Sequence, residues 1–230
     1  MLKNWLFATV TATALLAACS NETKTETTPS EPVAEETSPA TSDNPLLAEW
    51  DTPFGIPPFG EIENDDYMPA LEQGIEELRA EIDAIVSSEE PATFENTILA
   101  LETSGETLGR VSSVFGNVTA TDTNDVLRGM EAEFYKRITA ERDAIYLNDV
   151  LFERVKSVYE DLPELELDRQ AERLVELTYR DFQRRGAELS AEDKERVKEI
   201  NARLSEIGTK FSQNLVAETN GFELLITDEA

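Results

Sequence analysis

The chain has 230 residues, with 48 acidic and 20 basic side chains, a formal net charge of −28, no histidine and one cysteine. An acidic surface repels phosphate groups, so this composition argues against nucleic-acid binding. Without histidine, the chain alone cannot supply a histidine general base, a Ser-His triad or nearly any catalytic zinc arrangement. A single cysteine rules out a disulfide within the chain.

Residues 1–18 are predicted to be a lipoprotein signal peptide. Lys3 provides the positive start, and the apolar run Trp5–Leu16 is too short to span a hydrocarbon core of about 30 Å. Small residues lead to Cys19, in the pattern of a bacterial lipobox. An ordinary signal peptide that happens to contain a cysteine is the alternative. We expect lipid on Cys19 to hold an exported protein to a membrane. Ser20 at the next position favours the periplasmic face of the outer membrane if the cell is Gram-negative.

Residues 19–43 are predicted to be a lipidated, disordered tether, because Thr, Ser, Pro and Glu dominate and large apolar side chains are almost absent. Residues 44–230 are long enough for one helical domain with a real core. The lead-in to that domain contains Trp50, Phe54, Ile56 and Phe59, which we expect to lie in a groove on the helices. A peptide-binding aromatic strip is the alternative.

Six helices are predicted from apolar residues that recur at spacings of three and four behind polar caps. The first carries Leu71, Ile75, Leu78, Ile82 and Ile85. The second runs from Thr93 to Phe115, with Gly105 as a weak point. Part of the apolar surface of these helices is expected to stay exposed in the chain alone. The predicted caps are Asn64, Thr93, Asn124, Asn148, Asp168 and Ser190, and the stripe of the sixth helix is Val197, Ile200, Leu204, Ile207, Phe211 and Leu215.

The sequence pattern changes from helical to strand-like near the C-terminal end. Asn220-Gly221 is a typical helix end, and Phe222 to Ile226 reads as the start of a β-strand without a partner. The fold class is therefore predicted to be all-α with the start of a β segment at the C-terminal end. We expect the chain to be truncated at Ala230.

No catalytic constellation is evident in the residues. Glu76-Glu77, or Glu172 with Glu176, could act as an acid and a base, but such pairs arise by chance among 48 acidic residues. No glycine-rich phosphate loop is present, and Asp122 to Asp125 lacks the alternating ligands of a calcium loop. We assign no catalytic residue and no metal ligand in this chain, and lipidation of Cys19 is the one site predicted.

Five segments occur in an order that resembles the M3 family of zinc oligopeptidases, the thimet oligopeptidase-like enzymes, and in particular its bacterial peptidyl-dipeptidases. The resemblance covers Asn44 to about Ala230 and corresponds to the N-terminal third of the family. The segments are Asp65-Asp66-Tyr67-Met68-Pro69-Ala70-Leu71, Pro91-Ala92-Thr93-Phe94-Glu95-Asn96-Thr97-Ile98, Ser112-Ser113-Val114-Phe115-Gly116-Asn117, Asp143-Ala144-Ile145-Tyr146-Leu147-Asn148 and Lys210-Phe211-Ser212-Gln213-Asn214-Leu215.

The resemblance implies a clam-like, mostly helical enzyme with a deep channel between two lobes that admits short peptides. The family holds zinc with an HExxH helix and a later Glu, and the Glu of the motif is the general base. This chain lacks the HExxH segment, so the resemblance transfers architecture only. Asn64 to Thr219 is expected to build much of the wall of one lobe.

Two hypotheses follow. The first is an N-terminal fragment of a lipid-anchored zinc peptidyl-dipeptidase, inactive by itself and without bound metal, whose parent hydrolyses short peptides with zinc. The second is a non-catalytic helical lipoprotein that acts as a scaffold or a binding module. The ordered segments favour the first.

Overall fold

The computed structural model describes residues 43–225, and within them the chain is all-α, as predicted, with no strand. Seven α-helices follow one another, and a π-helix, Phe94–Leu99, leads directly into the second. No helix in this part of the chain is long and apolar enough to cross a membrane. The helices are α1 Tyr67–Val86, α2 Ala100–Thr103, α3 Glu106–Thr121, α4 Asp125–Tyr146, α5 Asp149–Glu160, α6 Arg169–Arg185 and α7 Ala191–Gly221.

Five of the six predicted helix caps are confirmed. The side chains of Thr93, Asn124, Asn148, Asp168 and Ser190 each accept a hydrogen bond from a backbone N–H in the first turn of the helix that follows. These bonds satisfy donors that have no partner inside a helix, which is why each helix begins where it does.

The start of α1 differs from the prediction. Asn64 does not cap it; instead Asn64–Asp66 forms a 3-10 turn that precedes the helix. Glu63 and Asp66 form a reciprocal capping box around this turn, and the Glu63 N–H donates to Asp66 Oδ2 over 2.7 Å. The first turn is therefore held by two carboxylates, which also suit the positive end of a helix dipole.

The predicted second helix is broken at Gly105, which takes a left-handed conformation with φ of 75°. The Gly105 N–H donates to Glu81 Oε2 of α1 over 2.7 Å, and a Cβ added at this position would lie 3.2 Å from Leu78 Cδ1. Glycine adopts positive φ without a steric penalty, so the chain can turn here while remaining packed on α1. The weak point in the sequence is thus a true helix boundary.

The core lies between α1, α3, α4, α5 and α6. The five-residue stripe of α1 is buried as predicted. Phe115 and Phe134 stack with ring centroids 3.9 Å apart, and Tyr67 meets Phe115 edge-on at 5.1 Å. The helices α1 and α3 approach so closely at Gly74 that a Cβ there would lie 2.9 Å from the backbone of Leu108. The largest fully buried side chains are Phe115, Phe134, Phe182, Leu46, Leu71, Ile98, Leu127 and Leu151.

The lead-in before α1 corrects part of the prediction. Trp50 packs against the core, with Arg110 5.1 Å above its ring and its indole N–H donating to the Pro45 carbonyl. Phe54, however, is 99% exposed, and Ile56 and Phe59 are also exposed, so these three do not lie in a groove.

The features predicted at the two ends of the chain, the lipidated leader and the β segment, lie partly or wholly outside residues 43–225. The signal peptide 1–18, Cys19 and nearly all of the tether 19–43 lie outside the described residues. At the other end, α7 ends at Gly221 and residues 222–225 form no strand, while Ile226 is not described. The β segment stays a prediction.

Candidate functional site

The predicted acidic pairs do not form a catalytic site. Glu76 is exposed, and hydrogen bonds from Thr107 and then Gln73 lower the pKa of its neighbour Glu77, which keeps that carboxylate ionised. Glu172 and Glu176 lie on the surface of α6, where Glu176 pairs with Arg173. Among residues 43–225, no group of three metal-ligating side chains is close enough to hold a metal ion.

The unusual feature of the fold is the contact between α4 and α7, which is polar where helix contacts are normally apolar. The two helices run antiparallel. Asn201 donates to Asp143 Oδ1 over 2.7 Å, and Gln213 donates to the Arg128 carbonyl over 2.9 Å. Near the start of α7, Lys194 is buried and pairs with Asp149 at the beginning of α5.

Two carboxyls of α4 face this contact from buried positions. Glu131 is 6% exposed and Asp143 is 8% exposed. Burial raises the pKa of Glu131, against the opposing effect of a hydrogen bond from Gln213. Burial likewise raises the pKa of Asp143, and its bond from Asn201 opposes that change. Each acid therefore meets an amide of α7, a partner that can bond with the carboxyl in either protonation state.

A cleft of about 390 Å³ lies between α3, α4 and α7. Glu131, Arg128 and the half-buried Tyr135 line one side, and burial raises the pKa of the Tyr135 hydroxyl. The side from α7 is formed mostly by small and hydroxyl residues, so the helix approaches α4 without filling the space between them. The residues that α7 contributes are Ser205, Gly208, Thr209, Ser212, Gln213 and Val216.

The outward face of α7 carries the apolar stripe that the sequence predicts. Five of its six predicted members are between 44% and 68% exposed, and Phe211 is the most exposed of them; the sixth, Val197, is half-buried. We call this surface the α7 stripe; it consists of Ile200, Leu204, Ile207, Phe211 and Leu215. The helix is therefore amphipathic in the reverse sense, with polar residues toward the protein and large apolar residues toward solvent.

Ion pairs within α7 flank the stripe. Arg196 pairs with Glu199, and Arg203 pairs with Glu206, each at 2.6 Å across one helical turn. The helix as a whole carries six acidic and five basic side chains, so it is nearly neutral in a chain of charge −28. The stripe thus lies on a long helix whose own charges nearly balance.

Sequence reasoning located the stripe but missed the polar residues behind it. The signal was present: Asn201, Thr209 and Gln213 recur at multiples of four on a second face of α7. What the sequence did not show is that this second face, and not the apolar one, meets α4.

Comparison with known proteins identifies relatives over most of the chain. The sequence is 39% identical over 190 residues to dipeptidyl carboxypeptidase of Escherichia coli, a match that covers 83% of this chain and 28% of that protein. It is 28% identical over 187 residues to oligopeptidase A of the same organism, covering 81% of the chain and 27% of the relative. Organellar oligopeptidase A of Arabidopsis thaliana is 26% identical over 188 residues, which are 82% of the chain and 23% of the relative.

No family model matches the chain. The chain spans about a quarter of the length of the curated relatives that it matches. The relatives with these names are M3 family metallopeptidases, in agreement with the resemblance found in the five sequence segments. The chain is therefore a homologue, over most of its length, of one part of the M3 family metallopeptidases.

Proposed function

We propose that this chain forms the N-terminal helical lobe of a zinc-dependent M3 peptidase that removes dipeptides from short peptides. The observation that carries the proposal is the 39% identity to dipeptidyl carboxypeptidase across 190 residues. Identity at this level extends over far more of the chain than one motif, and the all-α fold of residues 43–225 agrees with a helical lobe.

The role of the lobe is to form part of the wall of a substrate channel. Its described surface offers binding features but no reactive ones: a cleft of about 390 Å³ lined by hydroxyls, and an exposed apolar helix face. A rigid helical wall excludes folded proteins by size, because only an extended or short peptide fits a narrow passage. The core around Phe115 and Phe134 supplies that rigidity.

Zinc belongs, in this proposal, to a part of the peptidase outside the chain. The sequence contains no histidine, and residues 43–225 hold no cluster of ligands that fits the ion. When bound, zinc would polarise the peptide carbonyl and activate water. The chain's own residues would contribute substrate confinement, and we expect the chain alone to be inactive.

We further propose that the protein is exported and anchored through lipid on Cys19, on the periplasmic face of the outer membrane in a Gram-negative cell. The support is the lipobox pattern before Cys19 and the Thr-, Ser- and Pro-rich stretch that follows it. Such a tether would place the helical lobe in a compartment where short peptides are available.

A chimera tests the proposed function. The part of Escherichia coli dipeptidyl carboxypeptidase that matches this chain is replaced by residues 43–230, and release of dipeptides is measured with added zinc and with a chelator. We expect chelator-sensitive activity in the chimera and none in the chain alone. A folded but inactive chimera would contradict the proposal and favour the alternative function, a non-catalytic scaffold or binding module.

A further inference from the structure

We infer that the α7 stripe is the docking surface for an apolar helix in the remainder of the peptidase, the part that the relatives possess and this chain does not match. The inference rests on the proposed function and adds to it the surface by which the lobe is joined to the catalytic part. Its starting point is the reversed amphipathicity of α7, whose polar face meets α4 while its apolar face is exposed.

The spacing of the stripe indicates the shape of the partner. Ile200, Leu204, Ile207, Phe211 and Leu215 follow one another at intervals of four, three, four and four residues. From Ile200 to Phe211 the intervals are those of a heptad seam, and Leu215 extends the same line by one more turn. One large apolar residue per turn makes a narrow surface that suits a single partner helix, not the wider apolar face of a helix buried in a globular core. At about 1.5 Å per residue, the seam is about 22 Å long. The expected partner is therefore an antiparallel or parallel helix of at least four turns.

The area of the stripe argues against a second copy of the chain as the partner. A large side chain that is half exposed presents roughly 100 Å², so the five residues offer about 500 Å². A stable interface between separate molecules needs about 800 Å² on each side. A smaller surface is sufficient when both parts belong to one chain or are tethered, because the effective concentration is then in the millimolar range.

The net charge of the chain also favours a partner helix from the same peptidase over a second copy of the chain. Two copies of a chain with a charge of −28 repel each other, and the near-neutral α7 gives no compensating attraction. A helix from another part of the peptidase meets no such opposition at a surface with six acidic and five basic groups. The ion pairs beside the stripe, such as Arg203 with Glu206, would form the polar rim of the contact.

The experiment compares one substitution in two contexts, the 230-residue chain and the chimera described above. Phe211→Asp places a charge on the stripe at a position that is 68% exposed in the chain. Val150→Asp is the control, because Val150 is 51% exposed on α5 and is not a member of the α7 stripe. Thermal unfolding and zinc-dependent peptidase activity are measured for all variants, and sedimentation gives the oligomeric state of the chain.

We expect Phe211→Asp to shift the thermal midpoint of the chain by less than about 4 °C. In the chimera the same change should lower the activity retained after mild heating by about tenfold or more, since it would bury an unpaired charge. Val150→Asp should be neutral in both.

Three results would overturn the inference. An active chimera that tolerates Phe211→Asp as well as Val150→Asp would leave the proposed function intact but remove the docking surface. A chain that sediments as a dimer, and as a monomer after Phe211→Asp, would assign the stripe to self-association. A chimera that fails to fold with the wild-type stripe would show that the surfaces do not fit, and would contradict both proposals.

Discussion

Replacing two phenylalanines by alanine, one at a time, distinguishes an exposed α7 stripe from a buried one. Phe134 has no exposed surface and stacks on Phe115, whereas Phe211 is 68% exposed. The two substitutions to alanine remove the same atoms from helix interiors, so any helix-propensity gain, a few tenths of a kcal/mol, is common to both. Their difference in stability therefore reports burial.

The magnitudes follow from the exposed fractions. Full burial of a phenylalanine is worth about 1.5–3 kcal/mol, so the one-third of Phe211 that is buried contributes about 0.5–1 kcal/mol. Phe134→Ala additionally leaves a cavity in the core and should cost about 3–5 kcal/mol. For a chain of this length, each kcal/mol shifts the thermal midpoint by about 2–4 °C.

The assay is urea unfolding of the full chain, monitored by the circular dichroism signal of the helices. The curves are fitted with one shared dependence of the unfolding free energy on urea concentration. Phe134→Ala should lower the free energy of unfolding by several times as much as Phe211→Ala. A loss of about 3 kcal/mol or more from Phe211→Ala would refute the account, because it would mean that the outward face of α7 is buried in solution.

Three further predictions address other parts of the molecule. Gly74→Ala should destabilise the chain by about 1–3 kcal/mol, because the new Cβ would meet the backbone of Leu108. The control Gly129→Ala, whose Cβ would lie in open space, should stabilise the chain by up to about 1 kcal/mol. Equal effects of the two substitutions in urea unfolding would contradict the close approach of α1 and α3. Glu131→Gln should be more stable than wild type at neutral pH. Burial raises the pKa of Glu131 in the folded state, so the free energy of unfolding of the wild type falls as the pH rises above the ordinary carboxyl pKa, and the advantage of the variant should vanish on acidification. An advantage that does not change with pH would be evidence against this cause. Labelling of cells with a palmitate analogue should tag the wild-type protein and spare Cys19→Ser, and equal labelling would end the proposal of a lipid anchor.

The helices of this fold were largely predictable because their signals are local. The caps at Thr93, Asn124, Asn148 and Asp168 depend on hydrogen bonds to a backbone N–H two or three residues away. The break at Gly105 was visible as a weak point for the same reason, since glycine adopts the left-handed conformation found there without a steric penalty.

The contacts around α7 were not predictable because they join distant residues. The Asn201 to Asp143 bond spans 58 positions, and nothing near Asp143 indicates that an amide will cover it. Periodicity identifies an apolar face but does not say which neighbour lies against it. The stripe of α1 is covered by α3, α4 and α5, whereas an equally regular stripe on α7 is exposed.

The prediction for the lead-in before α1 was partly wrong for a related reason. Aromatic content suggested packing for Trp50 and Phe54 alike, yet Trp50 has an indole N–H bonded to Pro45 and a guanidinium above its ring, and Phe54 has neither. Exposed apolar residues are common on folded proteins, so hydrophobicity alone is weak evidence for burial.

The central claim is that the α7 stripe is open in this chain and covered in the assembled peptidase, and the labelling rate of a thiol at its centre tests it most directly. Phe211→Cys and the control Val150→Cys are each introduced into the chain and the chimera. Modification by a maleimide is then followed site by site by mass spectrometry of peptides. The account predicts that labelling at position 211 slows by about tenfold or more in the chimera, while labelling at position 150 stays unchanged. Equal rates at position 211 in a folded, active chimera would contradict it.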